Sequence, residues 1–226
     1  MFWTRALYDP FGFNGVGLAG NVDPNGILQP TYVRSSNAVS YFLPGGLGGA
    51  YGQFMVAPSE GAANTKYYGA RVGYAKGALD VSVAASRQSL NSGANRFDTW
   101  VVGGSYNFGV ATLEGAYNHD RNDTGAGTTY RHWLLGAVVP VGLAEIHASY
   151  NKMDAGSGNG AKMAALGMVY NLSKRTALYS TYSQISNDGA FMQSVDFSYP
   201  AAVSGGTPVT AGGKSRGLEL GIRHFF

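Results

Sequence analysis

The chain has 226 residues, enough for one large all-β domain, and a formal charge of +3 whose 16 Lys and Arg are scattered, so no basic cluster marks a nucleic-acid partner. Charged residues are only 13%, about half the usual share, yet mean hydropathy is −0.08 and no apolar run approaches the ~18 residues of a spanning helix. Without cysteine there is no disulfide framework and no thiol chemistry.

At the start, Met1-Phe2-Trp3-Thr4-Arg5 has neither a basic n-region nor an apolar h-region. From residue 34 the chain reads as eleven strands, at 34–43, 49–58, 67–76, 78–90, 98–107, 110–121, 129–140, 143–154, 161–171, 176–187 and 215–226. Short turn signals fall at Gly45, Gly77, Gly109, Val141 and Ser173, a spacing of 32 residues four times over. Between them lie longer polar segments, Ser59–Lys66, Asn91–Phe97, Asn122–Gly127 and Ala155–Gly160. Tight turns at one end and longer loops at the other are the asymmetry of an outer-membrane β-barrel, whereas a soluble sandwich gives shorter strands and no such beat.

Parity agrees. Leu79, Val81, Val83 and Ala85 oppose Asp80, Ser82, Ala84 and Ser86; Ala144, Ile146, Ala148 and Tyr150 oppose Glu145, His147 and Ser149. The segment Thr176–Gln184 carries polar residues at both parities, so its faces stay unassigned. Aromatics gather near strand ends (Tyr41, Phe42, Tyr74, Tyr106, Phe108, Tyr170), as interfacial girdles do. In the last ten residues Leu218, Leu220, Ile222, His224 and Phe226 share one face, and Gly217, Glu219, Gly221, Arg223 and Phe225 the other. A strand between lipid and water is built this way. The remaining long connection, 190–214, would be the main surface loop.

Several stretches carry a family resemblance: Asp9-Pro10-Phe11-Gly12 with Gly17-Leu18-Ala19-Gly20, residues 34–41, residues 68–75, residues 172–176 and the aromatic-ended last strand. Together they resemble the C-terminal two-thirds of a Gram-negative general porin of the β-proteobacterial type. The resemblance implies an all-β, sixteen-stranded antiparallel up-and-down transmembrane barrel, trimeric, in the outer membrane, passing ions and small hydrophilic solutes by diffusion through a water-filled channel. It implies that residues 1–33 are a loop folded into the lumen, that 34–226 are strands six to sixteen, and that strands one to five precede them. It also implies a constriction in which a wall arginine, Arg34, faces an acidic loop residue, Asp9, with Arg71 a second wall candidate by parity. Glu114, Glu145 and Arg223 would line the lumen, and Phe226 would be read by the barrel-assembly machinery. No cofactor or metal is implied.

Catalysis finds no support: there is no Gly-x-Ser-x-Gly elbow, and the four histidines lack ligand spacing. His147 and Glu145 share an inward face, as two polar lumen residues commonly do. Gly213-Lys214-Ser215 ends like a phosphate loop but lacks its first glycine and its helix. His119, Asp120, Asn122 and Asp123 could hold calcium weakly, though a solvated loop explains them as well. The alternative to a channel is a barrel acting mainly as a surface adhesin or receptor through the 190–214 loop.

Overall fold

A computed structural model describes residues 6–12, 15–23, 35–59, 66–90, 93–195 and 209–226. Eleven strands form one antiparallel sheet in strict sequence order. They are β1 (Val39–Phe42), β2 (Ala50–Ala57), β3 (Tyr67–Lys76), β4 (Leu79–Leu90), β5 (Asn95–Asn107), β6 (Thr112–Asn122), β7 (Thr128–Val141), β8 (Ala144–Gly156), β9 (Asn159–Asn171), β10 (Thr176–Asp188) and β11 (Lys214–His224). Among the described residues β1 and β11 do not pair with each other, so the sheet is open. Two 3-10 turns, Gly15–Gly17 and Ala19–Val22, precede the sheet.

The period-two reading sets the two faces. One exposes Trp133, Leu135, Leu166, Leu218, Leu220 and Ile222; the other carries the buried Ser82, Thr99, Asn118, Asn151 and Ser183. An apolar face left uncovered is what lipid contact requires, and the polar face is the lumen side. On β10 the ambiguous stretch resolves into Ala177, Tyr179, Thr181, Ser183 and Ile185 inward, with Leu178, Ser180, Tyr182 and Gln184 outward. Tyr179 lies over Gly221 across the ladder, and Tyr51 over Gly73: an added Cβ at either glycine would fall 2.3 Å from the ring. Large aromatics thus lie flat on the wall instead of filling the lumen.

Three expectations need correction. The first strand is Val39–Phe42, not 34–43; residues 35–38 hold a turn with Asn37 at positive φ, while Arg34 lies outside the described residues. The 43–49 connection is seven residues long rather than a tight turn. Ala155–Gly160 is not a longer loop. It is a two-residue hairpin, Ser157 (φ 53°) and Gly158 (φ 77°), with a register shift between Asp154 and Gly156. Positive φ at both central residues matches the twist of the flanking strands, so pairing continues through a tract whose composition suggests a break.

Candidate functional site

The site is built where residues 6–12 and 15–23 cross the inward face. This segment has no strand partner, so a side chain frames it. Asp9 is buried; its Oδ1 accepts the Phe11 amide at 3.1 Å and its Oδ2 the Ala19 amide at 2.8 Å. One carboxylate therefore folds the segment back on itself, a charge-assisted arrangement stronger than a neutral turn.

The wall has notches to receive it. An added Cβ at Gly103 (β5) would sit 2.4 Å from the Tyr8 ring, at Gly136 (β7) 2.3 Å from Pro10, at Gly167 (β9) 2.8 Å from Phe11, and at Gly217 (β11) 2.9 Å from Val16. Glycine is needed here for close approach, since any side chain would displace the segment.

Polar ties fix its register. The Tyr8 hydroxyl lies 2.7 Å from Ser82 Oγ and 3.2 Å from Asp80 Oδ1, and the Tyr51 hydroxyl donates to that same oxygen at 2.7 Å. Burial pushes the Tyr8 phenol well above its ordinary pKa, so it stays protonated. His147 Nδ1 is 2.6 Å from the Pro10 carbonyl; a carbonyl only accepts, so this nitrogen carries the proton. Ser183 donates to the Val16 carbonyl, Glu219 accepts the Val16 amide at 3.1 Å, and Asn21 donates to the carbonyls of Gly15, Val16 and Val195.

The inward face is not polar throughout. Val22, Val195, Met153, Ala161, Met163 and Ile185 form a buried apolar cluster joining the segment to β8, β9, β10 and the start of the connection after β10. Burying Val22, Met153, Met163 and Ile185 contributes roughly 1.5–3 kcal/mol each as an upper estimate. A net hydrogen bond is worth about 0.5–1.5 kcal/mol. Apolar contact therefore holds the segment, and the polar ties decide where it sits.

The sequence-derived candidates fall in different places. Asp9 sits in the segment, and Glu114 projects inward between Ser105 and Gly136, close enough for the two carboxylates to repel. Arg71 is inward on β3, its guanidinium 5.1 Å from the centre of the Tyr51 ring. Arg71 Nε and Glu114 Oε2 are buried without a hydrogen-bond partner among the described residues. Glu145 Oε2 lies 3.5 Å from His147 Nε2, and the Arg223 guanidinium lies 5.4 Å over the Phe225 ring. Phe226 is fully exposed. An open cleft of about 650 Å³ lies between Asp9–Gly12 and the wall, with His147, Tyr179, Glu219 and Arg223 among its lining. The calcium reading fails on parity: Asp120 is buried inward against Thr99 and Asn118, while His119 stacks outward on Trp100 at 5.5 Å. No group of acidic, His or Cys residues fit to hold a metal ion occurs among the described residues. Sequence reasoning passed over Tyr8, Ser82 and the glycine notches; the notches could have been found as glycines at inward parity on alternate strands.

A sheet with an uncovered apolar face, and a chain segment clamped across its polar face, is the wall of a transmembrane β-barrel with an internal loop. The chain belongs to the Gram-negative porin family, whose profile matches residues 1–190, and its place is the outer membrane. It is 34% identical to outer membrane porin protein 32 of Delftia acidovorans over 97% of this chain and 65% of that protein. It also matches the structure of an anion-selective porin from Comamonas acidovorans, at TM-score 0.75 and 32% identity, over 86% of this chain and 61% of that one. OmpT of Vibrio cholerae shares the fold at TM-score 0.71 and 14% identity, over 99% of this chain and 74% of that one. The chain thus spans a little under two thirds of the length of the first two relatives.

Proposed function

We propose that the full-length protein is a passive channel for ions and small hydrophilic solutes, in which residues 6–23 narrow the lumen. The observation that carries this reading is the clamped segment on the lumen face, held at defined positions by hydrogen bonds, an apolar cluster and glycine notches while an open cleft remains beside it. Arg34 and Arg71 form the basic side of the constriction. Asp9 frames the segment and, with Glu114, forms the acidic side. Glu145 and Arg223 line the lumen around it. In a narrow, partly low-dielectric passage a fixed positive charge repels cations strongly. Anion preference follows, in keeping with the anion-selective relative and the +3 charge. The protein works as a homotrimer, as the trimer form solved for a fold relative supports, and is inserted by the barrel-assembly machinery reading Phe226. Reversal potentials of the full-length protein in a salt gradient test the reading: Arg34→Ala and Arg71→Ala each shift permeability toward cations. Reversal potentials unchanged in both variants remove these arginines from the constriction.

A further inference from the structure

Three inward groups meet beneath Pro10: its own carbonyl, the His147 ring and the Glu145 carboxylate. The segment has no strand partner, so a side chain must satisfy this carbonyl. His147 Nδ1 does so at 2.6 Å, and because that nitrogen carries the ring proton, Nε2 of the neutral ring is left with a bare lone pair. Nε2 is buried, makes no hydrogen bond among the described residues and lies 3.5 Å from Glu145 Oε2. A carboxylate oxygen is also an acceptor. Two lone pairs therefore face each other with no donor between them.

The ring is held in this pose. Pro10 sits in the Gly136 notch, and the Phe11 ring lies 5.9 Å from the His147 ring, over Gly167, the ladder partner of His147 on β9. Turning the imidazole over would set a carbon against the Pro10 carbonyl and lose the bond. The charged groups around it are engaged elsewhere. Asp9 accepts the Phe11 and Ala19 amides, Glu219 accepts the Val16 amide, and the Arg223 guanidinium lies over Phe225. His224 shares the cleft, but its ring bonds Thr176. On β7 and β9 the ladder neighbours of the pair, Val138, Pro140, Gly167 and Val169, carry no charge. On β10 the next in line are Tyr179 and Thr181. Glu114 of β6, beside Asp9, is the other carboxylate close to the segment.

We propose that His147 is a proton-operated latch on the inward segment. In acid, Glu145, whose side chain is 47% exposed, takes up a proton and passes it to the buried Nε2. The carboxylate returns to its anion and the ring becomes an imidazolium. Nε2–H then points at Glu145 Oε2 while Nδ1–H keeps the Pro10 carbonyl, and both bonds become charge-assisted, stronger than neutral ones. In base the proton leaves by the same route, the two acceptors repel, and the tie to Pro10 falls back to a neutral bond. Imidazoles change charge between about pH 5 and 8, so mild acid closes the latch. The segment is then held harder and the lumen gains one positive charge. The latch is a property of the fold; only its consequence, a quieter and more anion-preferring pore in acid, rests on the channel reading.

The test uses the full-length protein with isotope-labelled histidine in detergent micelles, and planar-bilayer recordings alongside. Nitrogen NMR spectra should show the His147 proton on Nδ1 alone at about pH 8 and on both nitrogens at about pH 5. Over the same step open-channel noise should fall about fivefold, the gain expected when a neutral hydrogen bond becomes charge-assisted. His147→Asn keeps an amide donor for Pro10 but cannot titrate, so its noise should stay at the alkaline level throughout. Glu145→Ala takes away the acceptor for the new proton and should lose most of the step. His119→Asn, on the outward face, should keep all of it. Wild-type noise that is the same at both pH values would overturn the proposal, as would a step that survives in His147→Asn. A step that survives there and disappears in Glu114→Gln would place the switch at the Asp9 and Glu114 pair instead. If the full-length protein does not conduct, the channel reading falls and the spectra alone judge the latch: Nδ1 without its proton at about pH 8 sinks it.

Discussion

Asp9 is the residue on which the inward segment's own shape depends, since two backbone donors lose their acceptor together in Asp9→Ala. Leaving buried donors unmet costs about 1–3 kcal/mol each, so that variant should show faster proteolysis within residues 6–23 and noisier single-channel currents. The glycine notches give a sharper test. In Gly136→Leu the new side chain meets the rigid Pro10 ring and lifts the segment, which should raise unit conductance. Gly115→Ala, on the outward face with its nearest neighbour at 3.4 Å, should leave conductance unchanged. Tyr8 adds a pH dependence whose sign is fixed by its environment. Burial raises the folded-state pKa, so the unfolded chain ionises first, above about pH 10. Stability from this group is full below that pH and falls above it, and Tyr8→Phe should flatten the alkaline limb of a thermal-unfolding profile.

The strands themselves were legible because each alternates in isolation: β4, β8 and β11 show their faces with no knowledge of neighbours. β10 did not, since Gln184 and Ser186 sit outward opposite Arg216 and Lys214, where charged neighbours make polar residues acceptable on the lipid side, and Ser180 sits outward opposite Leu220. The β8–β9 hairpin was hidden by composition, because a glycine-rich tract that breaks most strands here supplies the positive φ that a tight turn needs. The apolar cluster was out of reach for a different reason. Met153, Met163 and Ile185 look like errors of parity until Val22 arrives from more than a hundred residues away. Two predictions belong to β11. Leu220→Lys places a charge in lipid and should destabilise the folded barrel by roughly 2–4 kcal/mol if it lies near the midplane, read by urea unfolding in vesicles. Phe226 is fully exposed, so Phe226→Ser should leave the stability of already folded protein unchanged and lower the fraction that reaches the heat-modifiable form in cells.

The open sheet sets the behaviour of the molecule as a whole. Among the described residues β1 and β11 do not pair with each other, and in lipid each unmet backbone group costs several kcal/mol. Residues 1–226 expressed alone should therefore fail to give stable conducting channels in planar bilayers. Stable, conducting channels from these residues alone would show that the edges can close on each other.

The inward segment also acts mechanically. Its successive side chains land on β5, β7, β9 and β11, so it crosses the hollow of the sheet as a chord crosses an arc. A chord of set length limits the radius of its arc. The width of the lumen and the curvature of its wall are thus one variable: a change that frees the segment also lets the wall relax outward, and a change of wall curvature shifts the segment.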